Sequence, residues 1–222
     1  MLFRSGDNIT TLSSASITLN NVAHVLKDAV INVSDVSAVA VDTAAGEKGK
    51  AYAFTLKDIQ GNAIANKNVK VVLNGVVYDV KTDENGSASV ALSLSAAKKY
   101  DLNVFFMGDD DYKGTNATAK ITVTKKKTTL KAAKTKYTFK VKAKSKVIKA
   151  TLKTTNKYLK AGKKVTIKIK GKTYTAKTGK NGAIKLNLKS LKKKGTYKAK
   201  IKFAGDSTYK ASSSKTIKIV IK

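Results

Sequence analysis

The chain has 222 residues, with 45 Lys and Arg against 14 Asp and Glu, one His, and no Cys, Pro or Trp. That composition excludes disulfide frameworks, cysteine nucleophiles, thiolate metal sites and His-rich metal clusters. No apolar run approaches the roughly 18 residues of a membrane-spanning helix, yet 42% hydrophobic residues suffice for a packed core.

The charge is segregated along the chain. Residues 1–124 carry 12 basic and 13 acidic groups, whereas residues 125–222 carry 33 Lys and one acid, Asp206. Such asymmetry predicts two domains and an anionic partner for the second half alone. Lys125-Lys126-Lys127 marks the junction, and the polar stretch 124–131 reads as an exposed linker.

In chain order, residues 1–28 match nothing in the second half and stand as an unassigned segment: the tail of a preceding domain, a linker, or added edge strands. Leu2-Phe3-Arg4-Ser5 reads as a scar rather than a native segment. The basic-then-apolar order of a signal peptide is missing, so the chain is expected to be a fragment of a secreted protein. Residues 25–36 fit a helical wheel poorly, and their β-branched content favours strand.

From there an internal repeat organises the sequence. Val69-Lys70-Val71-Val72-Leu73-Asn74-Gly75 matches Val165-Thr166-Ile167-Lys168-Ile169-Lys170-Gly171 at an offset of 96, as do Tyr78 with Tyr174 and Asn85-Gly86 with Asn181-Gly182. At an offset of 97, Tyr100 matches Tyr197, Phe106 matches Phe203, Gly108-Asp109 matches Gly205-Asp206, and Tyr112 matches Tyr209. A one-residue loop insertion explains the slip.

Within each copy the apolar period is two: Val165, Ile167 and Ile169 alternate with Thr166, Lys168 and Lys170, and Ile184, Leu186 and Leu188 behave likewise. That is the pattern of strands with one buried face. Asn85-Gly86 and Asn181-Gly182 read as hairpin turns, because both residue types tolerate positive φ. Gly75 and Gly171 divide two further pairs of short strands. About seven strands in roughly 95 residues predict an all-β chain of two tandem immunoglobulin-like β-sandwiches, 29–124 and 125–222.

The line Gly195-Thr196-Tyr197 through Phe203-Ala204-Gly205-Asp206-Ser207-Thr208-Tyr209-Lys210, with Tyr174 and Asn181-Gly182 upstream, resembles bacterial-type immunoglobulin-like repeats. Such repeats occur in tandem in large adhesin-like surface proteins, notably of methanogenic archaea. The resemblance covers about 46–124 and 130–222. It departs from the family in lacking Pro and in the extra Asp110 and Asp111. It implies a stalk or display role on a cell surface, no cofactor and no catalytic residue. Asn181-Gly182 falls where the family has its central hairpin.

Each motif has a structural reading. Gly108-Asp109-Asp110-Asp111 raises calcium binding, but three adjacent carboxylates cannot all face one ion that wants six to eight oxygens. The second copy keeps only Asp206, which reads as an Asp that closes its own turn. Tyr100 and Tyr197 begin their strands where sandwiches place a tyrosine corner. His24 sits among apolar residues, with no nucleophile in view. Sequons at Asn8, Asn32, Asn85 and Asn116 support a secreted habitat only weakly. A Lys–Asn isopeptide bond has no spare carboxylate in the second copy to promote it.

The Lys residues of 163–170, 198–202 and 215–222 alternate outward over an apolar core. Nucleic acid would satisfy that charge through phosphate contacts. However, the second half has no Arg for base readout, and Tyr158, Tyr174 and Tyr209 have core or turn roles. The expected function is therefore a non-enzymatic, extracellular, adhesin-like segment. Its second domain is expected to meet an anionic cell-envelope polymer or neighbouring surface, beside further immunoglobulin-like repeats. A nonspecific nucleic-acid module is the alternative.

Overall fold

The computed structural model describes residues 24–154, 159 and 161–222. The Leu2–Ser5 segment, the Asn8 sequon and Tyr158 lie outside the described residues.

The alternation becomes two separate β-sandwiches. The first contains β1 (Ala29–Asn32), β2 (Val36–Val39), β3 (Ala51–Asp58), β4 (Asn68–Leu73), β5 (Val76–Lys81), β6 (Ser87–Ala91), β7 (Lys99–Gly108) and β8 (Lys113–Thr124). Sheet β1-β3-β6 faces sheet β2-β8-β7-β4-β5. Between them Phe54, Leu56, Val71, Leu102, Val104 and Ile121 form one core.

The second sandwich repeats this plan with β9 (Thr128–Ala132), β10 (Lys136–Phe139), β11 (Val147–Thr154), β12 (Lys164–Ile169), β13 (Lys172–Lys177), β14 (Ala183–Asn187), β15 (Gly195–Ala199), β16 (Ile201–Phe203), β17 (Ser212–Ser213) and β18 (Ile217–Ile221). Sheet β14-β11-β9 faces a layer made of two pieces, β10-β18-β15 and β13-β12-β16-β17. Its own core includes Ile148, Leu152, Ile167, Leu186, Ile201 and Ile219. Where β7 runs unbroken, its counterpart is interrupted at Lys200. There the buried Ser214 replaces a ladder partner, its hydroxyl accepting from the Ile201 N–H at 3.0 Å.

The first sandwich exceeds seven strands because its first strand divides; the second does the same and also splits the counterparts of β7 and β8, into β15 with β16 and β17 with β18. β1 pairs with β3 in one sheet, and β2 then crosses to pair in parallel with β8 in the other; β9 and β10 do the same. A buried tyrosine satisfies backbone groups near each crossing. Tyr52 donates to the Ser34 carbonyl at 2.8 Å and accepts from its N–H at 2.9 Å, and Tyr137 donates to the Lys149 carbonyl at 2.9 Å.

The hairpin expectation needs correction. Asn74-Gly75 and Lys170-Gly171 are the two-residue turns, with φ of 52°, 77°, 46° and 78°, as a type I′ hairpin requires. Asn85-Gly86 and Asn181-Gly182 instead connect strands of opposite sheets, β5 to β6 and β13 to β14. Their glycines press against the facing layer: a Cβ on Gly86 would lie 2.4 Å from the Leu56 carbonyl, and one on Gly182 only 1.9 Å from that of Leu152. The dipeptide specifies a bend, and the sheet that receives the next strand decides its use.

Candidate functional site

The Gly-Asp turn recurs in both copies, at Gly108-Asp109 and Gly205-Asp206. Gly205 adopts φ 81°, which aims Asp206 back into its own loop. One carboxylate oxygen, Oδ1, accepts from the N–H groups of Thr208 and Tyr209 at 2.9 and 2.8 Å. The other, Oδ2, accepts from Lys163 Nζ at 2.8 Å. In the first copy Asp109 accepts from the N–H groups of Asp111 and Tyr112, both at 2.9 Å, and pairs with Lys67 at 2.6 Å. Burial raises both carboxyl pKa values, but the lysine hydrogen bond, backbone N–H groups and lysine charge outweigh it and hold them below the ordinary Asp value.

Each lysine also lies over its loop tyrosine, Lys67 over Tyr112 at 5.7 Å and Lys163 over Tyr209 at 4.8 Å. A lysine, an aspartate and a tyrosine thus form one unit in each copy. The lysines escaped notice in the sequence, although they stand 96 residues apart, at the repeat's own offset. An ammonium and two N–H groups occupy the Asp109 carboxylate. Among the described residues no three His, Cys, Asp or Glu converge as metal ligands.

The strand entering each sandwich docks on the same turn. Lys126 N–H donates to the Thr208 carbonyl at 2.8 Å, and Lys210 N–H returns a bond to the Lys126 carbonyl at 2.8 Å. Lys27 makes the equivalent pair with Asp111 and Lys113, at 2.8 and 2.9 Å. Residues 24–28 therefore correspond to the stretch around Lys126 and do not stand outside the repeat. Backbone bonds leave no side-chain signature, which hid the match. His24 contacts the Asp110 carbonyl through Nε2.

The junction is exposed at Thr124, Lys125 and Lys127, but the Lys126 side chain between them is buried in a joint with the first domain. β8 ends at Thr124 and β9 starts at Thr128, leaving three residues between. The Lys126 side chain is 5% exposed and grips both carboxylate oxygens of Glu47, itself 10% exposed. Tyr209, fully buried, donates its hydroxyl to Asp42 Oδ2 at 2.6 Å. Ala97 N–H donates to the Ser207 carbonyl at 2.9 Å. Asp42 is itself fixed at the start of a short 3₁₀ turn, Thr43–Ala45, and its N–H donates to Glu47 at 2.8 Å. Burial, then the Asp42 hydrogen bond and charge, push the Tyr209 hydroxyl far above the usual phenol range, so it stays a donor.

The remaining predicted residues are structural. Tyr100 donates to the Ala96 carbonyl at 2.8 Å and Tyr197 to that of Lys193 at 2.7 Å, each four residues upstream as in a tyrosine corner. Tyr174 is buried in the second core. Lysines of the second sandwich cover the outer sheet face, where Lys168, Lys198, Lys200 and Lys202 border a shallow groove of about 550 Å³ with Thr166 and Thr173.

No protein-family model and no curated protein sequence matches the chain. Among solved structures it is similar to invasin, a bacterial integrin-binding protein, at 17% identity over 87% of this chain and 39% of that one, with a TM-score of 0.51. A bacterial ice-binding adhesin (17% identity, 88% and 66% covered, TM-score 0.36) and the D0-D1 domain of intimin (17%, 84% and 95%, TM-score 0.30) also align. The chain spans less than two thirds of the adhesin and invasin chains. At these identities the likeness shows the fold alone: an immunoglobulin-like, all-β architecture.

Proposed function

We propose that the chain is a non-enzymatic structural segment of an extracellular, cell-surface adhesin-like protein, and that its second domain associates with an anionic cell-envelope polymer. The observation that carries this reading is the joint. Two like sandwiches are locked end to end through Asp42–Tyr209 and Glu47–Lys126, while nearly all the unbalanced charge lies on one of them. A fixed spacer that presents a cationic module suits display better than catalysis. The repeat line around Asp206 supports neighbouring immunoglobulin-like repeats as further partners and extends the comparison to archaeal adhesin-like proteins.

Retention on purified cell envelope tests the proposal. In about 0.15 M salt, where the Debye length is about 8 Å, the chain is expected to stay bound and to be released progressively as salt rises. Displacement by duplex DNA at matched charge concentration would overturn the envelope partner in favour of nucleic acid.

A further inference from the structure

We infer that the end of the second domain farthest from the joint is its polyanion-binding tip, and that its ligand is an acidic glycopolymer. The inference rests on the envelope-polymer reading and names the surface that carries it.

The tip is built from the loops on either side of Lys146 and Tyr197. Val141 N–H bonds the Lys222 carbonyl at 2.8 Å, and Leu188 N–H bonds the Lys146 carbonyl at 2.8 Å, which ties the loops together. Lys146, 1% exposed, points inward and donates to the carbonyls of Val141 and Ala143 at 2.7 and 3.3 Å. The Tyr197 hydroxyl pins the other loop at Lys193. On this fixed frame Lys140, Lys142, Lys144, Lys192, Lys193 and Lys194 are all exposed.

The same end of the first domain shows what those loops otherwise do. There they carry Asp42, Glu47 and Ala97, the groups that receive the second domain. In the second domain Lys193-Lys194 stand where the first has Ala96-Ala97, and no acid is present on either loop. A joint of the same chemistry cannot form at these loops, because a Lys126-like cation would find no carboxylate side chain on them.

The tip also lies away from every carboxylate side chain that the second domain meets. The domain's one acid, Asp206, is spent on Lys163 at the opposite end, and Glu47 and Asp42 lie there as well. The eight residues of β11 separate the two ends by about 26 Å at roughly 3.3 Å per residue. That is about three Debye lengths in physiological salt. Pinned loops also lose little freedom on binding. Tyr197 is buried and Phe139 is half-buried against the core, so this end offers charge without an aromatic platform for bases. A flexible carboxylate or phosphate glycopolymer fits that chemistry better than nucleic acid.

The test compares two four-lysine variants of the full chain with equal charge loss. The tip variant is Lys142→Gln, Lys144→Gln, Lys193→Gln, Lys194→Gln; the face variant is Lys168→Gln, Lys198→Gln, Lys200→Gln, Lys202→Gln. Binding to polygalacturonate is measured from about 0.05 to 0.3 M salt, and thermal unfolding confirms that each variant folds. The tip variant is expected to bind about tenfold more weakly near 0.15 M, with its salt slope reduced by about three, while the face variant changes by less than about threefold. Equal losses, or a larger loss for the face variant, would overturn the tip and leave the parent reading intact. No polygalacturonate binding by the unmodified chain, or its ready displacement by duplex DNA, would overturn both.

Discussion

The two sandwiches share an interior and differ in their exteriors. Val69, Val71, Leu73 and Phe106 point into the first core, and their counterparts Val165, Ile167, Ile169 and Phe203 point into the second. On the outer face of the same sheet, Val72, Val77, Phe105 and Met107 of the first become Lys168, Thr173, Lys202 and Ala204 of the second. One side of each strand is thus held by packing while the other is open to change. A cationic shell is compatible with the fold because solvated lysine heads leave the apolar layer beneath them intact.

The joint is where the two domains cease to be independent, and breaking it has the largest expected effect. Lys126→Ala removes the ammonium that grips both oxygens of the buried Glu47, at a cost of about 3 kcal/mol or more. Calorimetry is expected to show a single transition divide into two. An unchanged profile would mean that the domains never stabilised one another. In the unmodified chain, trypsin is expected to spare the buried Lys126 longer than its exposed neighbours Lys125 and Lys127.

The second prediction separates the two kinds of glycine turn. Gly182→Ala forces a Cβ against the Leu152 carbonyl and is expected to cost about 3 kcal/mol. Gly171→Ala has open space around its Cβ and suffers only left-handed strain, about 1–2 kcal/mol. Urea unfolding that ranks Gly171→Ala above Gly182→Ala would refute the assignment of the latter turn to the inter-sheet crossing.

A third, smaller effect concerns the Asp turns. Asp206→Ala and Asp109→Ala are each expected to cost about 1–2 kcal/mol by leaving turn N–H groups unmet. Asn is expected to do better than Ala, since its carbonyl still accepts those bonds; equal losses would argue against the turn role. Both carboxyls sit below their unfolded value near 3.8, so on acidification the unfolded chain takes up the proton first. Their contribution is present above about pH 4 and is lost as pH falls through the lowered folded values. Acid unfolding of Asp206→Asn should therefore be shallower.

The smallest effect is at the tyrosine corners. Tyr100→Phe and Tyr197→Phe each remove one hydrogen bond to a loop carbonyl and are expected to cost about 1 kcal/mol. Similar losses in both domains, measured by chemical denaturation, would show that the corner serves the fold rather than the lysine-rich surface. A loss confined to Tyr197→Phe would tie it to the tip.

Period-two alternation and the 96-residue offset made the all-β fold and the paired sandwiches legible in the sequence, because a strand's inward positions must be apolar whatever its partner. The offset also made Asp206 stand out as the one acid kept in a lysine-rich copy. Lys67 and Lys163 were harder to see, since one lysine among dozens carries no mark until a carboxylate lies 2.6 or 2.8 Å away. Nor did Asn85-Gly86 reveal which sheet would receive β6.

Local patterning determined strands, turns and the location of charge, all properties of neighbours in the chain. Only the tertiary structure decided that Lys126 is buried against Glu47, 79 residues upstream, and that Tyr209 reaches Asp42, 167 residues away. It also decided that the matching end of the second domain presents lysine to solvent. Whether a charge is solvated or paired depends on what the fold brings beside it, and sequence spacing does not encode that distance.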